Sequence, residues 1–156
     1  MSSELTARAE VVVAATPEAA FRLFTDEIGL WWRTGTMYWN DAERALVLRL
    51  EPGVGGRLLE VYDLDTGEGF ESGRVTAWEP GRRLALTWTQ LGWADGLSTD
   101  LNVTFEPVGD GTRVRVEHSG FERVPDGEAL SGGYGHGWVE LLGWFTEHAV
   151  AAGGAA

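Results

Sequence analysis

The chain has 156 residues, 44% apolar and 23% charged, which is enough for one domain with a sizeable core. Its net charge of −12 sets nucleic acid and anionic membrane surfaces aside as partners, because both need clustered basic residues. There is no Cys and, all 12 basic residues being Arg, no Lys, so disulfides, Cys-bound zinc, thiolate nucleophiles and lysine Schiff bases are excluded.

Residues 1–10 lack the basic-then-apolar pattern of a leader, and no window reaches 18 apolar residues, so a cytoplasmic location is expected. Leu5, Ala7, Ala9, Val11 and Val13 alternate with Thr6, Arg8 and Glu10 as in a half-buried strand. Thr16 then suits an N-cap and Pro17 the first helical position. Ala20, Phe21, Phe24 and Ile28 recur at helical spacing. The helix is expected to break near Asp26, and a second short piece runs from Ile28 to Arg33. The stretch Thr34 to Arg44 reads as a loop, with Met37, Tyr38 and Trp39 either forming a cavity mouth or packing under a sheet.

Six strand-like runs follow, Ala45–Leu50, Arg57–Leu64, Glu71–Glu79, Arg83–Gln90, Thr99–Pro107 and Thr112–Ser119. Turn residues separate them, which indicates an antiparallel meander. A loop is expected over Gly120–Gly133. After it, Tyr134, Trp138, Leu141, Leu142, Phe145 and Ala149 make one apolar stripe on a C-terminal helix. The tail Ala151–Ala156 is expected to fray.

These segments together resemble the START-like SRPBCC superfamily, and more closely the family of homologues of the heat-shock-protein-90 ATPase activator. The likeness is carried by Thr16-Pro17-Glu18 through Phe24-Thr25-Asp26 with Trp31-Trp32, and by Gly55-Gly56-Arg57-Leu58. It continues through Gly73-Arg74-Val75, Pro80-Gly81-Arg82-Arg83-Leu84 and Leu86-Thr87-Trp88. Gly109-Asp110-Gly111-Thr112-Arg113-Val114, Glu117-His118-Ser119-Gly120-Phe121, Gly137-Trp138 and Leu141-Leu142 complete it. The resemblance implies an α+β helix-grip fold, a single domain over residues 1–156 with an ordered core of about 4–150. In it a curved antiparallel sheet of six to seven strands wraps a long C-terminal helix, with two short helices after strand 1. It further implies a cavity between sheet and helix, where superfamily members hold lipids, hormones, polyketides and other apolar molecules. Some members are aromatases or cyclases. The eukaryotic co-chaperones that name the family carry an additional N-terminal domain, for which this sequence shows no counterpart.

Eight Trp, six Phe and three Tyr exceed what a core of this size needs. Trp31, Trp32, Trp39, Trp88, Phe105, His118, Trp138 and Leu142 are the candidate ligand-binding residues. Alternation puts His118 on the inward face with Val114 and Val116, where it either meets a ligand or, the preferred reading, hydrogen-bonds backbone at the strand end. Glu60 shares a face with Leu58 and Tyr62. Leu59 and Val61 make the opposite face equally apolar, and a solvated Glu60 is preferred. No Gly-x-Ser-x-Gly elbow, His-Glu-x-x-His pair or dinucleotide fingerprint occurs, so no catalytic residue, metal or cofactor is assigned. The leading expectation is a small-molecule binding protein for an apolar or aromatic ligand. One alternative is a cyclase, aromatase or hydratase using His118, Glu60 and Tyr62. The other is a co-chaperone-like or regulatory interaction module, which predicts an exposed apolar patch, for example around Trp39, Trp93 or Trp144, with a filled core and no cavity. A homodimer is compatible with all three.

Overall fold

The computed structural model describes residues 5–153. Strand β1 (Ala7–Val13) leads to helix α1 (Pro17–Thr25), which starts as its cap residue dictates. The Ala19 N–H donates to Thr16 Oγ1 at 3.2 Å, and Pro17 takes the first turn, where an N–H would have no partner. Helix α2 (Ile28–Trp31) is shorter than its sequence pattern suggests. Trp32 leaves it in extended conformation, and its indole N–H donates to the Tyr38 carbonyl at 3.0 Å.

The meander comprises β2 (Val47–Leu50), β3 (Arg57–Val61), β4 (Gly69–Glu79), β5 (Arg83–Trp88), β6 (Thr99–Val108) and β7 (Gly111–Ser119). The strands form one antiparallel sheet in the order β1-β7-β6-β5-β4-β3-β2. The pairing of β4 slips twice. Ser72 is the extra residue against β3, and Thr76 is the extra residue against β5. Such bulges bend a strand and raise its twist, so β4 is where the sheet curls. The curled sheet holds α3 (Gly127–Gly153) in the helix-grip arrangement.

Helix α3 begins well before Tyr134, within the stretch expected to be a loop. Three glycines, Gly132, Gly133 and Gly135, hide the helical pattern there, each costing helix propensity. Tertiary packing overrides that cost. Leu130 and Tyr134 pack against the core, and Gly127 sits so close to Phe121 that a Cβ would lie 1.7 Å from its carbonyl oxygen. Residues 151–153 continue the helix, while 1–4 and 154–156 lie outside the described residues.

The inner face carries the residues that alternation assigns to it. Leu84, Leu86, Leu101, Val103, Phe105, Val114 and Val116 are all buried against Trp138, Leu141, Leu142, Phe145 and Ala149 of α3. Helix α1 plugs one end with Phe21 and Phe24. Phe24 meets Trp31 at 5.1 Å, Phe145 at 5.3 Å and Phe105 at 5.9 Å between ring centroids. The outer face of β1, β6 and β7 is a charge ladder in which Arg8 pairs with Glu117, Arg115 with Glu10 and Arg113 with Glu106.

Candidate functional site

The space between sheet and α3 is nearly filled. A void of only about 10 Å³ remains, bordered by Phe24, Leu58, Leu86 and Leu101, with Trp32, Trp88 and Trp138 at its outer side. The same three indoles floor a much larger, open cleft of about 410 Å³. They form a triangle, with ring centroids 6.3 Å apart for Trp32–Trp88, 6.1 Å for Trp32–Trp138 and 5.7 Å for Trp88–Trp138. Room for a ligand therefore lies outside this floor rather than deep in the grip.

Three segments wall the cleft. Ala129, Leu130, Gly133, Tyr134, Gly137 and Leu141 come from the first half of α3, the loop supplies Met37, Tyr38, Trp39 and Asn40, and Gln90 and Leu91 follow β5. Tyr38 packs close to the helix at residue 137, a glycine; a Cβ there would stand 3.1 Å from the tyrosine ring. Its hydroxyl donates to Glu140 Oε1 at 2.7 Å, and that bond raises its pKa.

A buried carboxylate holds the loop in place. Glu60 Oε1 accepts from the Asn40 amide N–H (2.8 Å) and from Asn40 Nδ2 (3.2 Å), and Oε2 accepts from the Asp41 amide N–H (2.8 Å) and the Tyr62 hydroxyl (2.5 Å). The reading of Glu60 as solvated is thus corrected. It is 2% exposed, and its register opposite Leu48 puts it on the inner face, where four donors replace water. Burial, and then the bond to Glu60, raises the Tyr62 pKa, and the Arg44 guanidinium lies 4.3 Å over the Tyr62 ring.

One hydrogen-bond relay runs along the cleft. Trp88 Nε1–H donates to the Tyr134 hydroxyl at 3.0 Å, and Tyr134 donates to Gln90 Oε1 at 2.6 Å. Burial raises the Tyr134 pKa, and the bond from Trp88 opposes that rise.

Of the eight sequence candidates, Trp32, Trp39, Trp88 and Trp138 border the cleft. Trp31, Phe105, His118 and Leu142 sit in the core instead. The Trp31 indole donates to the Leu23 carbonyl at 3.1 Å, and Phe105 wedges between Phe21 and Phe24. His118 is 0% exposed. Its Nδ1 accepts from Trp138 Nε1 at 3.1 Å, which leaves the proton on Nε2 to be donated to Thr99 Oγ1 at 2.7 Å. Burial pushes its pKa down to about 3, so it stays neutral. His118, Glu60 and Tyr62 do not converge on the cleft, and Trp144 is 7% exposed beneath Tyr38 and the Arg33 guanidinium rather than part of an exposed patch. Sequence reasoning missed Gln90 and Asn40. Gln90 was within reach, since Leu84, Leu86, Trp88 and Gln90 continue one alternation.

The family model described as "Activator of Hsp90 ATPase homolog 1-like protein" matches residues 14–149. The chain belongs to this family. A comparison with curated proteins finds no significant match. Among solved structures, the chain is similar to anthrahydroquino-gamma-pyrone synthase Txn09, solved in complex with SUM, at 31% identity and a TM-score of 0.60 over 92% of this chain and 96% of that one. It also resembles protein NE0264 of Nitrosomonas europaea, with 17% identity and a TM-score of 0.70 over 97% and 98% of the two chains. A third similar structure is the Aha1 dimer of Colwellia psychrerythraea, with 20% identity and a TM-score of 0.60 over 91% and 93%. The elements that build the cleft all lie within the span matched by the family model.

Proposed function

We propose that this activator-homologue protein binds a small, flat, mostly apolar molecule on the Trp32–Trp88–Trp138 floor. The observation that carries the reading is the cleft itself. It is large enough for a fused-ring compound, it is lined by six Trp and Tyr rings and several aliphatic groups, and among the described residues no charged side chain borders it. Aromatic floors favour planar ligands through stacking and area burial. We also propose that the chain works in the cytoplasm as a single domain, and that any homodimer leaves the cleft open.

Native mass spectrometry of freshly purified protein, repeated after denaturation, tests the reading. An extra mass lost on denaturation is expected, and its fragmentation identifies the ligand class. A clean mass, together with indole N–H resonances unmoved by any flat aromatic probe, overturns it.

The 31% identity to a protein named as a synthase favours a second reading, an enzyme of cyclase or aromatase type. Tyr134 and Gln90 are then the groups placed to meet the reacting carbonyl. Turnover of the co-purified compound, lost in Tyr134→Phe while binding persists, distinguishes this from binding alone.

A further inference from the structure

We infer that the cleft selects uncharged aryl carbonyl compounds, with the Trp88–Tyr134–Gln90 relay donating a hydrogen bond to the ligand's oxygen. The inference rests on the cleft reading above and adds the chemical class.

The argument is a count of donors and acceptors. The side-chain acceptors on the cleft wall are in use. Asn40 Oδ1 accepts from the Leu91 amide at 2.9 Å, and Gln90 Oε1 accepts from Tyr134. The Tyr38 carbonyl accepts from the Trp32 indole. The Tyr38 hydroxyl and Asn40 Nδ2 donate outward, to Glu140 and Glu60. What remains is Gln90 Nε2, which has no acceptor among the described residues.

The direction of the relay follows from the chemistry of its members. An indole N–H only donates, so the Tyr134 oxygen must accept from Trp88. Tyr134 then has one proton to give. If it goes to Gln90, the amide turns its NH₂ to the cleft. If instead the amide flips and donates to Tyr134, the phenol proton itself is left for the cleft, with Gln90 Oε1 beside it. In either arrangement a donor, polarised by the bonds behind it, faces the ligand. An apolar ring with a carbonyl at its edge matches both the floor and that donor. A carboxylate or an amine does not, because no charged side chain on the cleft wall offsets its desolvation.

Fluorene and 9-fluorenone differ only by CH₂ against C=O, and fluorene-9-carboxylate adds a charge to the same skeleton. The chain has no Lys, so a ketone meets no side-chain amine that would form a Schiff base. Titration followed through the indole N–H resonances should show fluorenone binding about tenfold tighter than fluorene, one hydrogen bond's worth. The carboxylate should bind more weakly than either. Gln90→Glu keeps the side-chain shape, replaces the donor with an acceptor, and should abolish the preference, so that fluorenone binds this variant no tighter than fluorene does.

Equal affinities for the two neutral probes, or a ketone preference that survives Gln90→Glu, overturn the selection while leaving the cleft as a binding site. Cleft indoles that respond to none of the three probes overturn the cleft reading, and the selection falls with it.

Discussion

Among the described residues Glu60 and His118 are the two charged or titratable side chains buried most deeply, and neither borders the cleft. Each matters through what it holds. Glu60 meets four donors with four lone pairs, a match that only a carboxylate offers. Glu60→Gln turns an NH₂ toward those donors and leaves part of the set unpaired. The expected loss is about 2–3 kcal/mol of stability, together with weaker ligand binding because Tyr38, Trp39 and Asn40 lose their anchor. Thermal unfolding and a binding titration read the two effects, and an unchanged melting temperature would show that the loop is held by its other contacts. For His118 the sign follows from burial. The folded chain keeps it neutral down to about pH 3, whereas an unfolded His takes a proton near pH 6.5. Between those values the unfolded state binds one proton more, so stability falls as pH falls, by up to about 1.4 kcal/mol per unit. His118→Asn should be less stable at neutral pH and should show a shallower decline between pH 6.5 and 3; parallel pH profiles for the two proteins would rule the assignment out.

At the scale of elements, legibility in the sequence tracked how clean each period was. Strand β6 from Thr99 to Phe105 and the whole of β7 alternate without interruption, and the structure buries the side their sequences mark as apolar. The stripe on α3 likewise meets the core. Strand β3 was illegible in facing because Leu58 and Leu59 are both buried, as are Glu60 and Val61. Only pairing with β2 and the loop clasped over it decides which side is inner, and those are long-range facts. The cleft was half legible for a similar reason. Aromatic residues advertise themselves, but which of them floor a pocket and which fill a core depends on where α3 starts, and its glycines conceal that. Two of those glycines behave oppositely. Around Gly143 a Cβ would meet nothing within 4 Å, so Gly143→Ala should raise stability by about 0.5–1 kcal/mol. Gly137→Ala gains the same propensity but pushes on the Tyr38 ring. It should stabilise less, or destabilise, and should disturb ligand binding. Melting temperatures of the two variants check the pair directly, and equal gains would mean that the Tyr38 contact yields at no cost.

On the scale of the whole molecule, the grip is closed around rings rather than around a ligand. A sheet curled by two bulges in β4 could enclose a large cavity, but Phe24, Trp31, Phe105 and Phe145 occupy its depth and the three floor indoles seal it. This arrangement makes the boundary between cleft and core one side chain thick. Trp32, one of the three indoles that border both spaces, is 5% exposed and is held by a single side-chain hydrogen bond to a loop carbonyl. Trp32→Ala removes an indole from a packed site and should cost about 3–5 kcal/mol. If the surroundings stay in place, the cleft and the void merge into one cavity with an indole-shaped vacancy. Added indole should then raise the melting temperature of the variant in a concentration-dependent way, because a ligand that binds only the folded state stabilises it by mass action. The parent protein, whose vacancy is filled, should respond far less at the same concentrations. A variant that melts at the same temperature with and without indole would mean that the neighbouring rings collapse into the gap, and that the aromatic floor is a deformable filling rather than a rigid partition.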